Sequence, residues 1–452
     1  MEKVIFISYL FPPIGGSGVQ RRLKFAKYLP KFGWKPYVIT VKDIKHYVAD
    51  NSFLSELCDE VEIHRTGSLD PLRVGRLFMN LISKTLGKKG GGEGSKNQES
   101  IPFARRSFIL TPYRIIRDWL FMGDFQFLWV PFAYLKCSEL IKKENIDIIF
   151  SSSGPACHVL AYFLGARFKL PYVLDFSDAW CDDPYRSMPT VFHKMLDQKL
   201  ESITVRNAAA ITVYGLCLKE IFQRKYGDRI GDRTHIIYNG YDAKDISHIK
   251  CTARKYDGRI HLVYSGSLYE HQKPCFVSLL NALARLPCDI QQDIHFDIVG
   301  NYFSEAKELV AKLSNCDLKT KVEFHGYLPH HEALSLSATA SHLVLFIESG
   351  NKSMITGKVF EYIGLNKPIL CLVPEDGDAA AVLRSVHSEH YHIVEPNDSL
   401  KQTEVLKNIY YSPKSEIKPN YECRVNFERS AQTRKLALLF ENIVVKQRAR
   451  LS

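Results

Sequence analysis

Short apolar runs separated by helical patterns recur along the whole chain, and this alternation constrains the fold more than any other feature. Val4–Leu10, Tyr37–Val41, Ile146–Phe150, Tyr172–Phe176 and Ala210–Val213 read as buried strands. Strands alternating with helices predict a parallel sheet joined by crossover helices. The pattern restarts after a polar stretch, with Leu262–Ser265, Phe296–Val299, Val322–Phe324, Leu343–Ile347, Ile369–Val373 and His392–Val394. A chain of 452 residues exceeds an ordinary single core, so two successive α/β halves are expected. The break at 245–258, which contains Asp257 and Gly258, sets the expected domains at 1–248 and 249–423. A terminal segment, 424–452, follows; Ala431, Leu436, Leu439 and Ile443 fall near helical spacing in it, which predicts a helix over Arg424–Val445.

With 46% hydrophobic and 24% charged residues, the chain is not disordered as a whole. Its formal charge of +11 implies an anionic partner. Residues 1–50 hold nine Lys and Arg against three acids, a balance of +6. Val19, Leu23, Ala26 and Leu29 mark one helical face, Gly33 suits its C-cap, and Lys24, Lys27 and Lys31 form a basic stripe beside it. No nucleic-acid motif accompanies this charge, so an anionic membrane surface is the expected contact and nucleic acid is not. The eleven cysteines show no Cys-x-x-Cys pair and no zinc-site spacing; reduced cytoplasmic thiols are expected, and no metal. A strand pattern starting almost at residue 1 leaves no room for a signal peptide. The apolar stretch Trp119–Leu135 is interrupted by Asp124, Gln126 and Pro131 and does not read as a membrane span. Residues 88–100 read as a flexible surface insertion, and the aromatic stretch Ile101–Leu135 as core packing or as membrane or acceptor contact.

The loops at the carboxyl ends of these strands hold the chemistry, since doubly wound sheets build their sites there. In the segment from Gly350 to Leu370, a helix opens on Gly357 and Lys358, with Glu361 one turn later. A helix N-terminus presents free N–H groups and a positive dipole end to an anion, and Lys358 adds a full charge. The loop Phe11-Pro-Pro-Ile-Gly-Gly-Ser-Gly-Val-Gln-Arg-Arg follows the first strand, and its glycines permit close backbone approach. Gly16-x-Gly18 begins a nicotinamide-dinucleotide fingerprint, with Asp43 after the second strand, but Arg21 stands where its third glycine belongs. Ser151-Ser-Ser-Gly-Pro-Ala-Cys-His158 and Asp175-Phe-Ser-Asp178-Ala-Trp180 follow two further strands. Asp175 and Asp178 could accept from a substrate hydroxyl, with helix capping the alternative for Asp178; His158 is either a structural histidine or part of the chemistry.

As an ordered set these motifs resemble GT-B glycosyltransferases of the retaining family 4, in its bacterial polysaccharide-biosynthesis branch. The resemblance runs discontinuously over residues 3–440. It implies two Rossmann-like domains facing a central cleft, the C-terminal one binding a nucleotide sugar and the N-terminal one the acceptor, with the terminal helix crossing back to the first. Pro12-Pro13 followed by Gly15, Gly16, Gly18 and Arg21 is similar to the loop that faces the donor diphosphate. The Ser265–Pro274 segment resembles the loop with a phosphate-binding cation, which assigns Gly266 and Lys273 to the donor. Gly357, Lys358 and Glu361 match the motif whose glutamate holds the donor ribose. The chain departs from the family at Ser177, Ser267 and Ser353, where Arg, Arg and Glu are usual.

The implied activity is transfer of a sugar from a nucleoside diphosphate to a hydroxyl of a glycan or lipid-linked glycan precursor, by a hexosyltransferase-like enzyme that is cytoplasmic or peripheral on the inner membrane face. His158, Asp175 and Asp178 are the candidate catalytic residues. No cofactor or metal is expected, because lysines and helix N-termini neutralise the leaving diphosphate and no Asp-x-Asp cluster stands out. The alternatives are a GT-B-like nucleotide-sugar epimerase and a catalytically silent nucleotide-sugar-binding paralogue, the latter prompted by the three serine substitutions.

Overall fold

The computed structural model describes residues 1–15, 17–42, 51–69, 125–152, 154–183, 186, 188–247, 249, 259–386, 389–412 and 421–451. Gly16, the 88–100 segment, residues 101–124 of the aromatic stretch, and Asp257 with Gly258 lie outside them. The chain forms two compact units, Met1–Val213 with Leu218–Ile236 and Thr433–Ser452, and Tyr214–Cys217 with Ile237–Gln432.

The first unit is built on β1 (Glu2–Ile7), β2 (Trp34–Val41), β3 (Glu62–Thr66), β4 (Ile148–Ser152), β5 (Tyr172–Phe176), β6 (Ala210–Val213) and β7 (Thr234–Ile236). All pairs are parallel and the order is β3-β2-β1-β4-β5-β6-β7. Strand order reverses between β1 and β4, so the loops after these two strands flank the crevice that such a reversal opens. Burial on both faces explains the continuous apolar runs in β1, β2, β4 and β5. The sequence showed neither β3 nor β7. β3 is an edge strand of half-buried Glu-Ile-His-Arg-Thr, and β7 is only three residues long.

The first helix, Ser17–Tyr28, buries Val19, Leu23 and Ala26 and runs into a 3-10 turn over Leu29–Phe32. Gly33 closes it in the left-handed region at φ 82°, its N–H bonded to Leu29 O and Pro30 O. The expected basic stripe is not free. Lys24 is buried, and its ammonium and that of Lys27 each lie 2.6 Å from the same Glu56 carboxylate oxygen. Lys31 sits over the Tyr28 ring at 4.9 Å. Glu56 lies on the segment Asn51–Glu56, 29 residues beyond Lys27, so the sequence pattern of the helix alone could not show this pairing.

Residues Thr433–Ser452 belong to the first unit. The amphipathic segment forms two helices, Tyr421–Val425 and Arg429–Leu451, rather than one. Phe440 is fully buried, with its ring 5.3 Å from that of Trp34 and 5.4 Å from that of Phe150. Arg448 adds ion pairs to Glu2 and Asp147.

The second unit carries β8 (Ile260–Ser265), β9 (Ile294–Val299), β10 (Lys321–Gly326), β11 (His342–Phe346), β12 (Ile369–Leu372) and β13 (Tyr391–Val394), again all parallel, in the order β10-β9-β8-β11-β12-β13. Alternate side chains enter two cores. Leu262, Tyr264, Phe296, Ile298, Val344 and Phe346 fill one face, and Val263, Leu343, Leu345, Ile369 and Cys371 the other. The reversal lies between β8 and β11, which places the loops after Ser265 and Phe346 at the crevice.

Removing the Phe440 ring should destabilise the first unit by about 3–5 kcal/mol, the usual cost of a buried Phe→Ala cavity. Thermal unfolding of Phe440→Ala followed by calorimetry tests this; an unfolding transition at the wild-type temperature would show that the terminal helix contributes nothing to this core.

Candidate functional site

In the second unit the helix Gly357–Leu365 begins beyond the carboxyl end of β11, so its N-terminus points toward the crevice side of the sheet. Gly357 is exposed, with open space where a Cβ would stand. Thr356 occupies the N-cap position, but its side chain makes no capping bond. The buried Thr356 hydroxyl has no hydrogen-bond partner among the described residues. Ligand atoms can therefore compete for the first-turn N–H groups without displacing a side-chain cap.

Lys358 lies across β8. Its Nζ is 3.2 Å from the Tyr264 hydroxyl oxygen and 5.0 Å from the Tyr264 ring centroid. Tyr264 in turn donates to Ser267 O at 2.8 Å. Burial holds the Lys358 ammonium below its ordinary pKa, and the Glu361 carboxylate partly offsets this. Among the described residues no carboxylate forms an ion pair with Lys358, and Glu361 has neither hydrogen bond nor ion pair. A half-buried cation and a nearby free carboxylate are thus held one helical turn apart, consistent with one anionic and one hydroxylic ligand group.

Gly266 makes this placement of Lys358 possible. It sits at φ 137°, a backbone conformation that side-chain-bearing residues rarely adopt, and the Lys358 side chain fills the position its Cβ would take. The Gly266 N–H is fixed to Val299 O at 2.7 Å, which locks the loop to the end of β9. Lys273 differs from expectation. Its ammonium forms ion pairs with Glu305 and Glu270 at the start of the helix Lys273–Ala284, so its charge is already compensated within the unit. The acids after β12 also divide. Glu375 and Asp376 pair with Lys401 and Lys352 near the surface, whereas Asp378 is buried and accepts the Cys217 N–H at 3.1 and 3.0 Å.

In the first unit the loop after β1 and the ends of β4 and β5 form a dense polar cluster. Arg21 is not a surface cation: it is buried, its Nη2 lies 2.7 Å from Asp175 Oδ1, and its Nε donates to the same carboxylate. Asp175 also accepts from Ser152 and Thr212, each at 2.7 Å. Burial alone would raise the Asp175 pKa, but the Arg21 charge and these hydrogen bonds outweigh it and hold the carboxyl below its usual range. Asp175 is thus fully engaged and inaccessible, so the expectation that it meets an acceptor hydroxyl directly gives way to a role in fixing Arg21 and the ends of three strands.

His158 lies on the helix Pro155–Phe168 and is likewise buried. Its Nδ1 is 2.9 Å from Ser151 Oγ, and its ring packs 4.4 Å from Phe176 and 6.2 Å from Trp180. Desolvation lowers its pKa to about 3, so it is neutral at physiological pH. Asp178 is the exposed member of the set. The next helix, Val191–Asn207, is capped by Thr190, which removes the capping alternative for Asp178. Crowding by the surrounding protein and the nearby Asp183 charge push the Asp178 carboxyl above its ordinary pKa, although the side chain keeps solvent contact; Arg22 opposes the shift.

Arg22 escaped the sequence reading because it adjoins Arg21 in an already basic run. It is buried and donates from Nε to Ser152 O at 3.1 Å and from Nη1 to Gly18 O, and no carboxylate pairs with it among the described residues. Gly18 borders this cluster, and a Cβ there would meet only Arg22, at 3.9 Å, whereas Gly15 lies half-buried in the loop before the helix.

Residues 96–245 match the family model described as Glycosyltransferase Family 4. A crystal structure of Anabaena HepE in complex with UDP and glucose aligns over 100% of this chain and 99% of its own at a TM-score of 0.53 and 14% identity. The N-terminal domain of Candida albicans trehalose-6-phosphate phosphatase aligns over 98% and 97% at 0.62 and 14%. Staphylococcus aureus TarM aligns over 97% and 100% at 0.58 and 8%. No curated sequence matches the chain. The chain has a GT-B fold and resembles glycosyltransferase family 4. In GT-B terms, Gly266, Lys358 and Glu361 lie at the strand-order reversal of the C-terminal Rossmann-like unit, and the Arg21–Asp175 cluster lies at that of the N-terminal one.

Two consequences of this GT-B site are measurable. Loss of a charge-assisted hydrogen bond costs roughly 1.5–3 kcal/mol, so Glu361→Ala should weaken donor affinity or turnover by one to two orders of magnitude. Gly266→Ala should do at least as much by displacing Lys358; calorimetric binding that is unchanged in both variants would remove these residues from the donor site. For His158, the unfolded pKa of about 6.5 exceeds the folded value, so the unfolded chain takes up the proton first as pH falls. The stability it contributes is complete above about pH 6.5 and is lost toward pH 3. His158→Gln should therefore flatten the fall of melting temperature on the acid side; an unaltered slope would mean that His158 is not buried neutral.

Proposed function

We propose that the chain is a retaining glycosyltransferase that moves a sugar from a nucleoside diphosphate to a hydroxyl of a glycan or lipid-linked glycan precursor. The observation that carries this reading is the half-buried Lys358 at a helix N-terminus, without an ion-paired carboxylate among the described residues, and Glu361 one turn later with no hydrogen bond or ion pair among them. The lysine and the first-turn N–H groups would hold the diphosphate and stabilise the charge that grows on it as the glycosidic bond breaks. Glu361 would accept from the ribose hydroxyls. The HepE structure contains UDP and glucose, which makes a UDP-sugar the first donor to test.

On the N-terminal side, Asp178 is the carboxylate placed to accept from an acceptor hydroxyl. His158 and Asp175, both buried, would act as positioning residues that fix the β4 and β5 ends and Arg21. A lipid-linked acceptor would bring the enzyme to the inner membrane face, where the net charge of +11 favours an anionic surface. The helix Ser17–Tyr28 contributes less to that attraction than its sequence suggests, because Glu56 offsets one of the two charges of Lys24 and Lys27.

A panel of UDP-, GDP-, ADP- and CMP-sugars scored for binding and slow hydrolysis tests the reading. Binding of one class with release of free sugar is expected. A sugar nucleotide changed in configuration without an acceptor would indicate an epimerase, and binding without any turnover on supplied acceptors would indicate a silent paralogue. Because Lys358 and the helix N-terminus serve the leaving group, turnover in magnesium- and manganese-free buffer should match that with either ion added. A strict requirement for one of them would contradict this placement of the diphosphate.

A further inference from the structure

The apolar pattern of the second sheet fails at one edge. On the face that carries Val263, Leu343 and Leu345, β9 and β10 present His295, Asp297, Glu323 and His325 instead. The two strands are parallel, with His295 opposite Lys321 and Asp297 opposite Glu323, so His295, Asp297 and Glu323 share a face, and His325, at the register shift between Phe324 and Gly326, reaches Asp297 from the strand end. Asp297 is fully buried and His295 nearly so. None of the four belongs to the donor or acceptor clusters described above.

We propose that His295, Asp297 and Glu323 bind a divalent zinc-class metal ion, with His325 orienting the aspartate. One ligand atom from each of the three lies within 4.8 Å of the others. His295 Nε2 is 3.5 Å from Asp297 Oδ1 and 3.4 Å from Glu323 Oε2. These separations exceed the 2.7–3.2 Å of about every N–H···O hydrogen bond in proteins. They match the edge of a tetrahedron, about 3.3–3.4 Å, drawn around an ion with ligands at about 2.0–2.1 Å. His325 Nε2 lies closer, 2.7 Å from Asp297 Oδ1, which is hydrogen-bond length and suits an outer partner that fixes a ligating carboxylate. Water completes the coordination.

The ligand chemistry selects the ion. One imidazole nitrogen and two carboxylate oxygens suit zinc or a neighbouring transition metal better than magnesium or calcium, which take oxygen alone. Glu323 also pairs with Lys321 at 2.9 Å, but that lysine is largely exposed and can turn to solvent when the ion binds. The bound ion would tie the edge strand β10 to β9 through side chains as well as backbone bonds. None of its ligands belongs to the cluster around Lys358, so the ion takes no part in the proposed transfer chemistry.

The test uses the untagged full chain, stripped with chelator and dialysed, then titrated with zinc ions by calorimetry. One equivalent should bind, and zinc should raise the melting temperature. Glu323→Gln, at a half-exposed position that the fold does not depend on, should weaken binding at least tenfold and abolish the thermal shift; His295→Gln should do the same. Cobalt substituted for zinc should give the intense visible absorption of a tetrahedral site in the wild type and lose it in Glu323→Gln. No stoichiometric binding, or binding that both substitutions leave intact, would overturn the assignment.

Discussion

The ammonium of Lys358 is the constraint around which the second unit's site is arranged. Half-burying a cation without an ion-paired carboxylate is costly, and among the described residues the offset comes from the Tyr264 hydroxyl and ring and, through space, from the Glu361 carboxylate. That arrangement requires Gly266 at a positive φ, because any side chain there would occupy the space of the lysine. It requires the loop after β8 to be pinned to β9, which the Gly266–Val299 bond does. It also requires the helix at Gly357 to begin without a side-chain cap. Such a charge, left without an ion pair among the described residues, suits an anion, and the diphosphate of the proposed donor would supply one.

The first unit shows the opposite economy. Arg21, Asp175, Ser152 and Thr212 satisfy one another in the interior. Removing Asp175 would strand a buried guanidinium, at a cost of about 3–5 kcal/mol. Such a cluster specifies the positions of strand ends more than it offers groups to a ligand. The groups left for a ligand at its edge are the exposed Asp178 and the buried Arg22, which donates to the carbonyl oxygens of Ser152 and Gly18.

Much of this was legible in the sequence, for identifiable reasons. β5 and β6 run over the residues read as strands, because both are interior strands, buried along their whole length and mostly apolar. Gly33 and the helix at Gly357 were visible from local chemistry alone. What the sequence hid depends on partners distant along the chain. Lys24 looked solvated until Glu56 met it, Arg21 looked free to face a diphosphate until Asp175 paired with it, and Lys273 looked available until Glu305 claimed it. The His295, Asp297 and Glu323 cluster escaped for the same reason: its ligands come from two strands in register, so no single stretch carries a metal-site spacing. β3 and β7, short or half-polar edge strands, lacked the apolar signal that betrays central ones.

The central claim is that a nucleotide diphosphate binds at the helix N-terminus of Gly357 against Lys358 and the Gly266 loop. Amide hydrogen exchange on the full chain, with and without a saturating nucleotide sugar, reads this directly. The account predicts slower exchange confined in the second unit to the Tyr264–Leu268 and Thr356–Glu361 backbone. Binding that leaves both segments unchanged while protecting others would contradict it.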